Sequence, residues 1–327
     1  MELKKRDISV DIIKFFAVFL IINSHADICY PKYSFLATGG AIGDCLFLFV
    51  SGYSLFLGEM KRFDNYYKRR ISRIYPSAFA TILVMLIFNG GFCNLLDIII
   101  LGGGRPFLNA IMIYYIILWF VRKYFVYKIH YAFIIVIFSV LVAYWFYPYK
   151  YETGERGLYG VTTIFRWIPY FGVMLLGAYI GVIRERLKFN IRFDMLKLVV
   201  CFIAFYGIQF FAREFKSVAP YQVVTIPFLY GIVYYAYKCC NANMFRRIYE
   251  NYYANWVILV VGGLSLESYL IQGCVITDKW NNIFPFNLFF IAIAVLILSY
   301  VVRCIARLFG QTFRTEDYEW KKVFSLK

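Results

Sequence analysis

An acid, a base and an imidazole interrupt the first apolar segment of the chain. Asp11, Lys14 and His25 lie in the otherwise hydrophobic stretch that runs from residue 8 to 28. Asp11 precedes His25 by fourteen residues and Lys14 precedes it by eleven, so on a helix of 3.6 residues per turn the three side chains share one face. Because a charge near a bilayer centre costs at least about 2.5 to 3.5 kcal/mol, such residues usually face a protein interior or a wet cavity. The pattern indicates a functional site on one face of this helix.

Proton transfer is the chemistry that this face suits best. An unperturbed imidazole has a pKa of about 6.5 and is largely neutral at pH 7, so His25 can act as a general base. A histidine can also act as a nucleophile that forms a covalent intermediate, and we leave both roles open. The competing structural interpretation is that His25 makes hydrogen bonds to its neighbours at a helix end.

The composition predicts the elements that position these residues. Hydrophobic residues make up 62% of the 327, and mean hydropathy is +0.64. We therefore predict an all-α, polytopic membrane helical bundle. Ten stretches are long enough to span, at residues 8–28, 40–58, 76–91, 106–122, 131–147, 166–183, 196–211, 222–239, 256–276 and 286–308. The segment 92–101 is too short to span and is predicted to be re-entrant or interfacial.

Loop charges predict the orientation of the bundle. Ten crossings place both termini on one side, and lysine and arginine concentrate in the loops of that side, so we expect both termini to be cytoplasmic. The net charge of +16 mostly reflects this bias. A nucleic-acid-binding function is excluded because no loop is long enough to form a basic soluble module.

The chain is predicted to be one integral-membrane domain over residues 1–310 with a short cytoplasmic tail at 311–327. The first apolar stretch lacks a cleavage site and is expected to stay in the membrane. Eight cysteines are scattered without a C-x-x-C pair and, with two histidines, predict no metal site.

Further polar residues follow in a characteristic order. They comprise Asp44-Cys-Leu-Phe-Leu-Phe-Val-Ser51-Gly-Tyr, then Arg69-Arg70-Ile-Ser-Arg73-Ile-Tyr-Pro, then Arg166 before a glycine-rich helix, and finally Ser265-Leu-Glu267-Ser-Tyr-Leu-Ile-Gln272. Together with Asp11-x-x-Lys14 and His25, this set resembles the acyltransferase-3 family of bacterial membrane acyltransferases over about residues 6–310. The chain departs from the family at Lys14, where arginine is more common, and at Gln272, where histidine is more common.

The resemblance implies an O-acetyltransferase of the bacterial cytoplasmic membrane. Such an enzyme would move an acyl group, expected to be acetyl, from cytosolic acyl-CoA to a hydroxyl of a cell-surface polysaccharide or lipid-linked glycan. The expected partners are acyl-CoA, the glycan and membrane lipids. The alternative class is a transporter or flippase with a polar intramembrane pathway and no acyl chemistry.

The resemblance and the residue chemistry together assign the site residues. Catalytic roles are expected for His25, Asp11, Lys14 and Asp44, donor binding for Arg69, Arg70 and Arg73, and substrate binding for Arg166, Ser51, Glu267 and Gln272. Several of these residues have a simpler alternative. The arginine cluster can anchor the chain to anionic lipid, Asp44 and Glu267 can form ion pairs with buried cations, and Arg166 can extend to the membrane interface.

Overall fold

In a computed structural model the chain is described over residues 7–89, 106–126, 128–146, 157–160, 164–215, 217–313 and 315–326. No strand occurs in these ranges, so the all-α prediction is confirmed. The α-helices are α1 (Ile8–His25), α2 (Gly40–Leu57), α3 (Phe63–Asn89), α4 (Pro106–Phe125), α5 (Ile129–Phe146), α6 (Trp167–Ile183), α7 (Ile191–Glu214), α8 (Thr225–Cys240), α9 (Asn243–Glu250), α10 (Tyr252–Gly263), α11 (Ser265–Ile271), α12 (Phe286–Thr312) and α13 (Trp320–Val323).

The number of spans agrees with the sequence prediction. Nine helical segments in the described ranges are long and apolar enough to cross a membrane. A tenth span is broken: the segments Tyr252–Gly263 and Ser265–Cys274 meet at an angle of 52°. The predicted re-entrant segment 92–101 lies outside the described residues.

Helix α3 begins earlier than predicted. The predicted span started at Pro76, which left the three arginines between two predicted spans, whereas α3 begins at Phe63 and continues through Pro76. Arg69, Arg70 and Arg73 therefore lie on a helix. The prediction was wrong because hydropathy registers only the apolar part of a helix, and the first turns of α3 are polar and charged.

Two compact units make up the chain. The first comprises Met1–Ile13, Cys45–Met60 and Ile116–Ile248, and the second comprises Lys14–Asp44, Lys61–Tyr115 and Tyr249–Lys327.

Close backbone contact organises the first unit. A Cβ atom added at Gly52 of α2 would overlap the carbonyl oxygen of Met174 on α6, and one added at Gly177 of α6 would overlap the carbonyl oxygen of Phe49. Small residues allow helix backbones to approach in this way in membranes, where dispersion contacts replace the hydrophobic effect between helices.

In the second unit, glycines also join α1 to α2. Added Cβ atoms at Gly40 and Gly43 would meet the side chains of Ser24 and Ile21. Elsewhere in this unit α3, α11 and α12 pack around a core formed by Ala80, Val84, Ile271, Val302 and Ala306. These contacts position the polar residues described below.

The Gly52 contact predicts a selective loss of stability. We expect Gly52→Ala to lower the free energy of unfolding by about 1–3 kcal/mol, because the added methyl group forces the two backbones apart. Thermal unfolding of the purified protein in detergent measures the effect. The matched control is Gly207→Ala on α7, where an added Cβ meets nothing within 4 Å. Equal melting temperatures for the two variants would contradict the proposed contact.

Candidate active site

Helix α1 carries the polar face that the sequence predicted. The helix is unbroken from Ile8 to His25, so Asp11, Lys14 and His25 keep their helical spacing. Asp11 is buried, Lys14 is half-buried and His25 is exposed. At 1.5 Å per residue, His25 lies about 25 Å from the start of the helix. The imidazole is thus at one end of a membrane-length helix.

Asp44 lies beside the last turns of α1. It follows Gly43, which contacts Ile21, and it is one turn beyond Gly40, which contacts Ser24. Its side chain is half-buried. The close α1–α2 contact therefore holds a carboxylate near the end of the helix that bears His25.

Asn23 holds the loop that follows His25. Its side-chain amide donates to the carbonyl oxygens of Leu36 at 2.8 Å and Thr38 at 3.0 Å, and its oxygen accepts from the Tyr30 hydroxyl at 2.5 Å. Burial raises the pKa of Tyr30, which keeps this phenol protonated as a donor. Asn23 was not among the predicted site residues, although an amide two residues before His25 in an apolar helix was a usable signal.

A second set of hydrogen bonds ties this loop to the segment before α12. The Asn287 amide, which is fully buried, donates to the carbonyl oxygen of Cys29 at 2.8 Å. Asn281 donates to the carbonyl oxygen of Ile28 at 2.9 Å, and the Cys29 thiol donates to the carbonyl oxygen of Thr277 at 3.4 Å. Burial raises the pKa of the Cys29 thiol, so it remains a neutral donor. The end of α1 and the start of α12 therefore lie at the same end of the second unit.

Gln272 lies close in sequence to this network. It follows α11 directly and precedes Thr277 by five residues. Its side chain is buried, and its oxygen Oε1 has no hydrogen-bond partner in the described part of the chain. A buried amide oxygen without a donor can accept a hydrogen bond from a hydroxyl or amide of a ligand.

Two predicted substrate-binding residues belong to the first unit. Ser51 is half-buried on α2. Arg166 is buried, donates from Nη1 to the carbonyl oxygen of Tyr159 at 3.0 Å and lies 4.3 Å from the ring centre of Trp167. The Tyr159 hydroxyl bonds to Thr225 at 2.7 Å, and burial raises the Tyr159 pKa. Arg166 is thus held by protein groups, although its Nε has no partner among the described residues.

The three arginines of α3 have different surroundings. Arg70 lies against the rings of Tyr66 and Tyr115, at 5.6 and 5.7 Å from their centres. Arg69 is exposed. Arg73 lines a cavity of the second unit. The sequence analysis treated them as one cluster, and only Arg73 faces this space.

The cavity has a volume of about 520 Å³ and lies between α3, α11, α12 and the C-terminal residues. Its charged lining consists of Arg73, Glu267, Arg303, Arg307 and Lys322. Four cations thus face one carboxylate, so the cavity is suited to an anionic ligand.

Glu267 and Arg303 form an internal pair at the inner side of the cavity. Glu267 accepts hydrogen bonds from Ser77 at 2.9 Å and from Arg303 at 3.1 Å. Arg303 also donates to the carbonyl oxygen of Gly263, the last residue of α10. Arg73, Arg307 and Lys322 contribute three further positive charges to the lining of the cavity.

The basic cavity and the His25 end are at opposite ends of the second unit. Asn287, bonded to the loop after His25, precedes Arg303 by sixteen residues and Arg307 by twenty on the continuous helix α12. At 1.5 Å per residue these separations are about 24 and 30 Å along the helix. The unit therefore combines an anion-binding cavity with a distant imidazole.

The sequence analysis missed Arg303, Arg307 and Lys322 as candidate site residues. It counted basic residues from Arg303 onward only as an orientation signal. Arg303 and Arg307 are four residues apart and so share a face of α12, which could have indicated a common role.

Comparison with known proteins identifies the family. A family model described as an acyltransferase domain, acyltransferase family 3, matches residues 7–306. No curated protein and no solved structure matches the chain. The matched region includes every residue that the sequence analysis assigned to the site. With its apolar spans and a match over most of its length, the chain belongs to the acyltransferase-3 family and is a membrane acyltransferase.

Proposed function

We propose that this acyltransferase transfers an acetyl group from acyl-CoA to a hydroxyl of a cell-surface polysaccharide or lipid-linked glycan in the bacterial cytoplasmic membrane. The observation that carries the proposal is that one unit of a membrane acyltransferase has a basic cavity at one end and the imidazole of His25 at the other, with the cavity arginines about 24–30 Å along α12 from Asn287. The basic cavity suits a phosphorylated donor, and the imidazole suits the removal of a hydroxyl proton.

The donor is proposed to bind with its nucleotide phosphates in the basic cavity. Arginine binds phosphate through two parallel hydrogen bonds, and Arg73 lies on the cavity wall with no ion-pair partner among the described residues. The excess of basic loop residues predicts that this end is cytoplasmic, where acyl-CoA is found. The pantetheine arm would then extend along the unit toward His25.

His25 is proposed to act as the general base. Neutral imidazole takes the proton of the acceptor hydroxyl as its oxygen attacks the thioester carbonyl carbon, which gives a tetrahedral oxyanion. When this intermediate collapses, the new ester C–O bond remains, the C–S bond breaks, and the thiolate takes the proton from the imidazolium. The products are the acylated glycan and free CoA.

Nearby polar groups are proposed to orient this step. The Lys14 ammonium, on the same face of α1 but about 16 Å from His25 along the helix, is proposed to add positive charge to the polar face without contacting the oxyanion. Asp11 would balance the charge of Lys14, and Asp44 would balance the charge of the imidazolium. The unpartnered Oε1 of Gln272 can accept a hydrogen bond from the acceptor, whereas its amide cannot take up a proton at neutral pH. Arg69 and Arg70 are proposed to add to the field that attracts the donor, and the roles of Arg166 and Ser51 in acceptor binding stay predictions from the sequence.

The assignment of His25 predicts a selective loss of activity. We expect His25→Ala to abolish transfer of radiolabelled acetyl from acetyl-CoA to bacterial surface glycans or lipid-linked sugars, because no other histidine is near in the sequence. The protein should still express and fold, since His25 is exposed at a helix end.

The matched control is His130→Ala, which removes the chain's other histidine from the start of α5. Full activity is expected for this variant. Undiminished turnover in His25→Ala would exclude the general-base mechanism. A folded wild-type protein that consumes no acyl donor would instead favour the transporter alternative.

The cavity predicts a difference between two arginines on one helix. We expect Arg73→Ala to raise the KM for acetyl-CoA roughly tenfold, the effect of losing one charge-assisted contact to phosphate. Arg69→Ala, which removes an exposed arginine outside the cavity lining, should change it much less. Steady-state kinetics of both purified variants measure the difference.

A second substitution tests the cavity without changing its charge. Gly310 lines the cavity, and an added Cβ there meets nothing within 4 Å, so Gly310→Trp is expected to fold and to fill the space. Gly310→Ala is the control. If Gly310→Trp and Arg73→Ala both keep the wild-type KM for the donor, the donor does not bind in this cavity.

A further inference from the structure

The residues after α12 fold back onto that helix and form one wall of the basic cavity. We define residues 317–326 as the C-terminal strap; it contains α13. The Val323 side chain is 1% exposed, so the strap is packed against the protein. Lys322 and Ser325 of the strap line the cavity.

Hydrogen bonds to α12 fix the backbone of the strap. Nη1 of Arg307 donates to the carbonyl oxygens of Lys322, Val323 and Ser325. The Tyr300 hydroxyl donates to the carbonyl oxygen of Phe324 at 2.8 Å. A further bond runs from the backbone N–H of Glu319 to the side chain of Gln311 at 2.8 Å. A tail that serves only as a solvated end would not need this number of specific contacts.

Lys322 is the basic residue of the strap that lines the cavity. Its ammonium is 2.6 Å from the Glu319 carboxylate, with the two side chains 70% and 45% exposed. An exposed ion pair of this kind contributes little, so a phosphate group can take its place. Arg73 and Arg307 line the same cavity, so a phosphate there would meet three cations from three segments of the chain.

We propose that the C-terminal strap is part of the donor site, and that Lys322 binds a phosphate of the donor's nucleotide portion. This inference rests on the proposed function and adds a binding residue and a structural requirement to it. The strap forms one wall of the cavity, and Arg307 holds the strap by its backbone, so Lys322 contributes to phosphate recognition only while the strap is seated.

The experiment compares two donors that differ in phosphate. Acetyl-CoA carries the nucleotide phosphates, and acetyl-pantetheine carries the same thioester without them. We expect Lys322→Gln in the full-length protein in nanodiscs to raise the KM for acetyl-CoA roughly tenfold and to leave the KM for acetyl-pantetheine unchanged. Val323→Asp, which should unseat the strap, is expected to have a larger effect with the same selectivity.

Lys321→Gln is the matched control, because Lys321 is the neighbouring exposed lysine and does not line the cavity. It should leave both KM values unchanged. If Lys322→Gln and Val323→Asp behave as this control does, the strap does not contribute to donor binding. A rise in KM for both donors would also overturn the inference, since it would show a general disturbance rather than phosphate recognition.

Direct binding of CoA, measured by calorimetry, separates this inference from the proposed function. If the wild type transferred no acyl group, the transferase mechanism would be refuted. If Lys322→Gln nevertheless bound CoA more weakly than the wild type, the strap would still be a phosphate site. The phosphate of an anionic lipid has similar chemistry, so binding is compared in phosphatidylcholine and phosphatidylglycerol nanodiscs. The inference would be overturned if the wild type bound no CoA and Lys322→Gln did nothing but lower the amount of phosphatidylglycerol retained. The cavity would then be a lipid site.

Discussion

The structure of the second unit depends on Arg303, because this side chain satisfies two groups that a membrane interior does not tolerate alone. One is the Glu267 carboxylate, and the other is the carbonyl oxygen of Gly263 at the break between α10 and α11. An isolated buried charge is strongly destabilising, and a backbone carbonyl freed by a broken span must find a partner within the protein. The hydrogen bond from Ser77 brings α3 to the same point. Three segments therefore meet at one ion pair, and the inner side of the basic cavity is built there.

The architecture was predictable because hydropathy is a local property. Ten apolar stretches predicted ten spans. The described residues contain nine spanning helices and one broken span, which is the same number. Two features were not predictable by the same signal. The polar first turns of α3, before Pro76, are invisible to hydropathy although they are helical. The break after Gly263 lies inside an apolar run, and only the adjacent Gly262 and Gly263 indicated it.

The candidate site was predictable where its residues share one helix. Asp11, Lys14 and His25 were found from spacing alone, since a single unbroken helix fixes their common face. Arg307 and Lys322 could not be recognised in this way. Their position beside Arg73 depends on α12 packing against α3 and on the chain folding back after Thr312. Charge composition showed that these segments are basic, whereas only tertiary structure brings the charges around one cavity.

The distance between the cavity and His25 has a mechanistic consequence. Phosphates bound in the cavity, at the opposite end of the unit from the imidazole, make contacts that are the same before and during the reaction. Such contacts strengthen donor binding and restrict the thioester to one path, and they cannot by themselves stabilise the oxyanion. That stabilisation must come from groups near His25. Lys14 shares that face of α1 but lies about 16 Å before His25 along the helix, so its ammonium does not contact the oxyanion. Of the two departures from the family pattern, Gln272 is the one near the reacting end of the unit, and it leaves His25 as the group there that can take up a proton at neutral pH.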